Sequence, residues 1–108
     1  MSAEILVVRC EGPLVYPNAS AVRDAVVALA AGTAPRAVVL DLGASPELDV
    51  QAADTLDELA AELRRRGAEL RLAEVRAPAL ETLRRSGVAD RVRIEPTIDV
   101  AARITPLG

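Results

Sequence analysis

Short apolar runs alternate along this chain with amphipathic stretches of helical length, and this alternation limits the folds that are open to it. The clearest run, residues 37–42, is continuously apolar through Leu40, which is typical of a strand buried on both faces. It is followed by residues 50–66, whose apolar positions recur with the helical period. A strand followed by such a helix predicts parallel strands joined by helical crossovers.

The same pattern continues on both sides of this central unit. We predict strands at residues 4–10, 14–16, 37–42, 68–74 and 92–94, and helices at 19–31, 50–66, 78–86 and 97–104. The first two strands are too close for a crossover and should be antiparallel. The prediction is therefore one α/β domain over residues 1–108, in the order ββαβαβαβα. Its mixed sheet has four to five strands, with strands 4–10, 37–42 and 68–74 as a parallel centre, flanked by about four helices.

Residue types at the predicted helix ends support these boundaries. Asn18 and Asp49 stand where an N-cap acceptor is expected, and Gly32 and Gly67 stand where a helix would stop.

Composition excludes several kinds of chemistry. The chain has no His and no Lys, and Cys10 is its one cysteine, so a Ser-His or Cys-His pair, a Walker A lysine and an intrachain disulfide are impossible. We expect no catalytic residue, metal or cofactor. The net charge of -3 and the single aromatic, Tyr16, also argue against nucleic-acid binding. No apolar run approaches the ~20 residues of a membrane span.

Three charged or reactive features have simple structural interpretations. Asp49 and Asp54 are spaced wrongly for one helix face, so we interpret them as a cap and a solvent-facing charge rather than an acid/base pair. The arginines at 64–66 complement the dipole at a helix end. Cys10 is expected to be a small buried hydrophobe rather than a reactive thiol.

Several local stretches occur in the order and spacing of a known family. Residues 37–42 (Ala-Val-Val-Leu-Asp-Leu) lead into residues 49–52 (Asp-Val-Gln-Ala), where a STAS domain carries an Asp-Ser-Ser-Gly type turn. Residues 63–70 (Leu-Arg-Arg-Arg-Gly-Ala-Glu-Leu) and 80–88 (Leu-Glu-Thr-Leu-Arg-Arg-Ser-Gly-Val) also resemble STAS segments. The resemblance extends over residues 5–103.

STAS domains occur in two main functional settings, and this chain resembles them to different degrees. In bacterial anti-sigma factor antagonists a Ser after the turn's Asp is phosphorylated; the matching residue here is Val50, and Ser45 and Thr55 are out of register. A switch that adds charge at this position could not operate. By contrast, residues 12–19 (Gly-Pro-Leu-Val-Tyr-Pro-Asn-Ala) are similar to the Gly-Pro-Leu-Phe-Phe-Ala-Asn-Ala stretch of SulP transporter STAS domains.

The resemblance therefore implies a non-catalytic regulatory or interaction domain of a SulP sulfate or anion transporter, at the cytoplasmic face of the plasma membrane. Its partner would be the transporter membrane domain or a cytosolic regulatory protein. The alternative is a stand-alone anti-sigma factor antagonist without the phosphoacceptor Ser. Homodimer formation and weak nucleotide or anion binding stay open. All-Arg basicity with abundant Ala is typical of a GC-rich bacterial genome.

An interaction surface is expected where the first two helices begin. Both predicted starts follow strands, so they should meet at one end of the sheet, and Tyr16 adds the kind of side chain favoured at interfaces. Burial of Tyr16 and Val50 in the local core is the alternative. The expected residues are Tyr16, Pro17, Asn18, Ala19, Asp49, Val50 and Gln51.

Overall fold

The computed structural model describes residues 4–102, and of Tyr16 it describes the backbone alone. Strands and helices alternate over this range: β1 (Ile5–Glu11), α1 (Tyr16–Thr33), β2 (Ala37–Ala44), α2 (Val50–Arg65), β3 (Glu69–Ala73), α3 (Ala77–Arg85), a 3₁₀ turn (Val88–Asp90), β4 (Arg93–Glu95) and α4 (Ile98–Ala101). The α/β class predicted from the alternation is confirmed.

The described strands form one parallel sheet in the order β1-β2-β3-β4. Val38 of β2 is paired with Leu6 on one side and with Leu70 on the other. The apolar run of β2 is fully buried between these neighbours, as its composition predicted. Residues 4–102 thus contain four parallel strands that alternate with four α-helices.

The predicted second strand is wrong, and with it the mixed sheet and the order that begins ββ. Leu14 makes only an isolated parallel bridge to Leu48, and Tyr16 already belongs to α1. Gly12 adopts a left-handed φ of 82°, which turns the chain out of the sheet, and Pro17 favours a helical first turn. Because no antiparallel strand flanks β1 among residues 4–102, β1 is an edge of the sheet and not part of its centre.

The two faces of the sheet are covered unequally. One face packs against α1, α2 and α3 and contains the main core, which includes Leu40, Leu56, Leu59, Leu63, Leu72 and Leu83. The other face has a small cluster, in which Val39 and Ala73 pack with Ala101 of α4.

Helix ends agree with the sequence for α2 and differ for α1. Gly67, with φ of 84°, follows the α2 cap as predicted. Helix α1 begins three residues earlier than predicted and runs through Gly32 to a left-handed cap at Ala34. The prediction for Ile104 in the last helix lies outside the described residues.

Arg71 connects the sheet to α4. It is buried in β3, donates from Nε to Glu69 Oε1 at 2.8 Å and donates from Nη1 to the carbonyl of Ala101 at 2.7 Å. A buried guanidinium with these partners holds the end of α4 against the sheet.

Candidate docking surface at two helix starts

Hydrogen bonds join the loop before α1 to the loop before α2. The Leu14 N–H donates to the carbonyl of Glu47 at 3.0 Å, and the Asp49 N–H donates to the carbonyl of Leu14 at 3.3 Å. Leu14 and Leu48 are both buried beneath this connection. The starts of α1 and α2 therefore lie side by side, as the sequence predicted.

At the start of α2 an acidic cap is followed by an exposed apolar residue. Asp49 accepts a hydrogen bond from the Ala52 N–H at 2.7 Å, so it is the N-cap that was predicted. Val50, the first helical residue, is 61% exposed. Gln51 is also exposed. An apolar side chain thus projects to solvent where the helix N–H groups begin.

The start of α1 lacks a side-chain cap. The prediction that Asn18 caps this helix is wrong, because Val15 occupies the cap position. Asn18 instead lies within the first turn, where its side-chain amide donates to the carbonyl of Pro13 at 3.0 Å. Val15 is 39% exposed, which places a second apolar side chain beside the start of α2.

The seven residues expected at this surface divide into four groups. Pro17, Asn18, Val50 and Gln51 are exposed, and Asp49 is half-buried by its capping role. Ala19 is fully buried, so it supports α1 from below. The Tyr16 side chain lies outside the description.

Val15 was missed by the sequence reasoning because it was assigned to a strand. We use the name helix-start surface for the exposed residues Val15, Pro17, Asn18, Val50 and Gln51.

A polar cleft of about 260 Å³ adjoins this surface between α1 and α2. It includes Ser20, Arg23, Gln51, Asp54, Thr55 and Glu58. Arg23 is already paired across it, with Glu58 at 3.0 Å. Within residues 4–102, no group of three or more His, Cys, Asp or Glu side chains could hold a metal ion. Asp54 is exposed on this cleft while Asp49 caps the helix, so the two carboxylates have separate roles.

The two hydroxyl residues flanking Val50 in sequence are buried. Thr55 donates its hydroxyl to the carbonyl of Gln51 at 3.0 Å. Ser45 has no exposed surface, and its hydroxyl finds no hydrogen-bond partner in the part of the chain that the structure describes. Neither residue offers a hydroxyl to solvent where Val50 stands.

Cys10 lies near the end of β1 and is almost completely buried. Burial, with a smaller contribution from the nearby Asp41 carboxylate, raises the pKa of the Cys10 thiol to about 11. It is therefore protonated at neutral pH, in agreement with the prediction of a small buried hydrophobe.

The arginines at the end of α2 are paired locally. Arg65 and Arg66 both bind the carboxylate of Glu62, and these hydrogen bonds lower the pKa of Glu62, that from Arg65 most strongly. This is the dipole-matched helix end that the sequence predicted.

Searches for related proteins agree with the fold. The SulP transporter STAS domain of Vibrio cholerae superposes with a TM-score of 0.73 at 20% identity, over 94% of this chain and 80% of that chain. A sulfate transporter family protein from Wolinella succinogenes gives a TM-score of 0.79 at 20% identity, over 94% of this chain and 86% of that one.

A much longer protein also matches. The murine Solute Carrier 26 family member A9 anion transporter, in its inward-facing state, gives a TM-score of 0.80 at 21% identity. The match covers 93% of this chain and 17% of the transporter chain. At such identities these likenesses show the fold. A comparison with curated proteins found no match.

The fold and the paired helix starts define an α/β domain of the STAS type. A family model described as the STAS domain matches residues 2–101. The chain therefore belongs to the STAS domain family. Among residues 4–102, no helix combines the length and the apolar character needed to cross a bilayer.

Proposed function

We propose that this chain is a non-catalytic regulatory domain of a SulP-type anion transporter. In this proposal it acts at the cytoplasmic face of the membrane, where its helix-start surface contacts the transporter membrane domain or a cytosolic regulatory protein. The structural likeness to a bacterial SulP transporter STAS domain, to a bacterial sulfate transporter family protein and to a mouse anion transporter supports this setting.

One observation carries the proposal, namely the exposure of Val50. A valine that is 61% exposed at a helix start contributes little to the core. Val15, which follows Leu14 in the loop bonded to Asp49, exposes a second apolar side chain. Burying such side chains against a partner gains roughly 25 cal/mol for each Å² of apolar surface removed from water. The helix-start surface is thus suited to a dry contact.

A phosphorylation switch fits this geometry poorly. Val50 has no hydroxyl, and the nearest alternatives, Ser45 and Thr55, are buried. Phosphate transfer to either of them would first require the surroundings of the hydroxyl group to open, because Ser45 has no exposed surface and the Thr55 hydroxyl is bonded to the Gln51 carbonyl. The contact we propose therefore depends on apolar area and shape rather than on added charge.

Site-specific photo-crosslinking tests the proposal. A benzophenone amino acid is introduced at Val50 in the chromosomal gene, and crosslinked products are identified by mass spectrometry of the membrane and cytosolic fractions. The control carries the same probe at Leu29, which is 46% exposed but lies about 20 Å along α1 from its start.

We expect the Val50 probe, and not the Leu29 probe, to crosslink to a SulP membrane domain or to a cytosolic protein that binds one. Crosslinking of the Val50 probe to an anti-sigma kinase would instead support a partner-switching role. Equal products from both probes would contradict a docking role for the helix-start surface.

A further inference from the structure

The two edge strands of the sheet differ in how well they are protected against pairing with a further strand. Strand β4 is only three residues long and carries Arg93 and Glu95, the kind of short charged edge that resists pairing. Strand β1 is seven residues long and begins with four consecutive apolar residues, 5–8. Its Val7 is 46% exposed. An apolar edge of this length is a template for another strand.

The direction of the backbone shows which N–H and C=O groups of β1 point away from β2 at the free edge of the sheet. The carbonyl of Glu4 accepts from the Arg36 N–H at 2.8 Å, so the backbone groups of Glu4 point toward β2. Backbone direction alternates along a strand, which makes the N–H and C=O groups of Ile5, Val7 and Arg9 point away from β2. No strand within residues 4–102 lies on that side.

The regular part of β1 has a defined midpoint. Its register with β2 is continuous from Ile5 to Arg9 and shifts between Arg9 and Glu11, where β2 carries one more residue than β1. Bulges and charges commonly end pairing at an edge. Val7 lies at the centre of the uninterrupted segment and is also its exposed apolar residue.

We propose that two copies of this chain pair through antiparallel β1 edges, with the two-fold axis at Val7. In this register Val7 lies opposite Val7 of the second copy, Leu6 lies opposite Val8, and Ile5 lies opposite Arg9. The outward backbone groups then form about six hydrogen bonds across the axis, and the two four-stranded sheets become one.

The segment favours a second copy because it is complementary to itself. Residues 5–8 carry no charge, so no like charges meet at the axis, and each exposed Val7 is covered by its counterpart. The Arg9 side chain keeps its own partner, Glu11, at 3.8 Å. One pair of strands buries little surface, so the dimer is weak and depends on concentration.

Sedimentation equilibrium of the 108-residue chain over a wide concentration range tests this pairing. Val7→Arg places two like charges at the axis and should raise the dimer dissociation constant at least tenfold. Leu29→Arg is the matched control, because Leu29 has the same 46% exposure on α1 and should leave the constant unchanged. Far-ultraviolet circular dichroism verifies that both variants are folded.

Amide hydrogen exchange gives a second readout that does not depend on a variant. The amides of Ile5, Val7 and Arg9 should become protected as concentration rises, whereas those of Leu6 and Val8 are protected at every concentration by their bonds to β2. A chain that remains monomeric with rapid exchange at Ile5, Val7 and Arg9 would overturn the proposal. A dimer that Val7→Arg leaves intact would overturn it as well.

Discussion

Leu14 pairs with Leu48 in an isolated parallel bridge, and this pairing fixes the loops before α1 and α2 to each other. Both side chains are buried, and Leu14 is among the largest fully buried side chains. The helix-start surface therefore rests on two buried residues, of which Leu14 was predicted to lie in a short strand and Leu48 between predicted elements. Substitutions can distinguish the buried residues that support the helix-start surface from the exposed residues that form it.

Leu14→Ala should lower the free energy of unfolding by about 2–5 kcal/mol, since it leaves a cavity under the connected loops. Val15→Ala is the control, because Val15 is part of the helix-start surface, and its effect should stay within about 0.5 kcal/mol. Urea unfolding monitored by circular dichroism measures both values. Equal losses from the two variants would show that Val15 belongs to the core.

The N-cap of α2 has a defined energetic role. Asp49→Ala removes the acceptor for the Ala52 N–H and should destabilise the domain by about 1 kcal/mol. Asp49→Asn, which keeps a capping oxygen, should remain within a few tenths of a kcal/mol of the unsubstituted chain. If both variants were as stable as the unsubstituted chain, the capping bond would contribute nothing.

Arg71→Met tests how α4 is attached. The substitution removes the donor to the Ala101 carbonyl, which is then left buried, and should cost roughly 1–3 kcal/mol. Arg93→Met removes ion pairs that are largely exposed and should cost at most about 1 kcal/mol. Hydrogen exchange should accelerate in α4 for the first variant and not for the second. Unchanged exchange in α4 would contradict this role of Arg71.

The raised pKa of Cys10 gives a signed pH dependence. Because folding favours the neutral thiol, its contribution to stability is fully present below the ordinary pKa of 9.0 and is lost as the pH rises toward about 11. We expect the free energy of unfolding to fall more steeply over this window in the unsubstituted chain than in Cys10→Ser. Parallel pH profiles, or rapid alkylation of the folded chain by iodoacetamide at pH 7, would contradict a buried thiol.

The fold was largely predictable because its central elements carry strong local signals. The apolar run of β2 and the stripe that ends at Leu63 leave little choice, and the Asp49 cap and the Gly67 stop have direct chemical causes. The stretch around Leu14 was misassigned, because an apolar triplet fits a short strand as well as a buried turn leading into a helix.

Other features depend on tertiary neighbours that a sequence does not reveal. The burial of Ala19 and the exposure of Val15 follow from where α1 begins, three residues before the predicted start. The edge position of β1 follows from the absence of a second strand beside it within residues 4–102. The partner of Arg71 lies 30 residues away, and no local pattern identifies it.

Anion uptake by cells that carry Val50→Asp in the chromosomal gene tests the central claim most directly, with radiolabelled sulfate as the probe. The substitution adds a charge to an exposed position at a helix start, so the melting temperature of the purified chain should change by no more than a few degrees. Leu29→Asp is the matched exposed control. We expect Val50→Asp to reduce uptake severalfold while Leu29→Asp leaves it unchanged; normal uptake in both strains would contradict a docking role in anion transport.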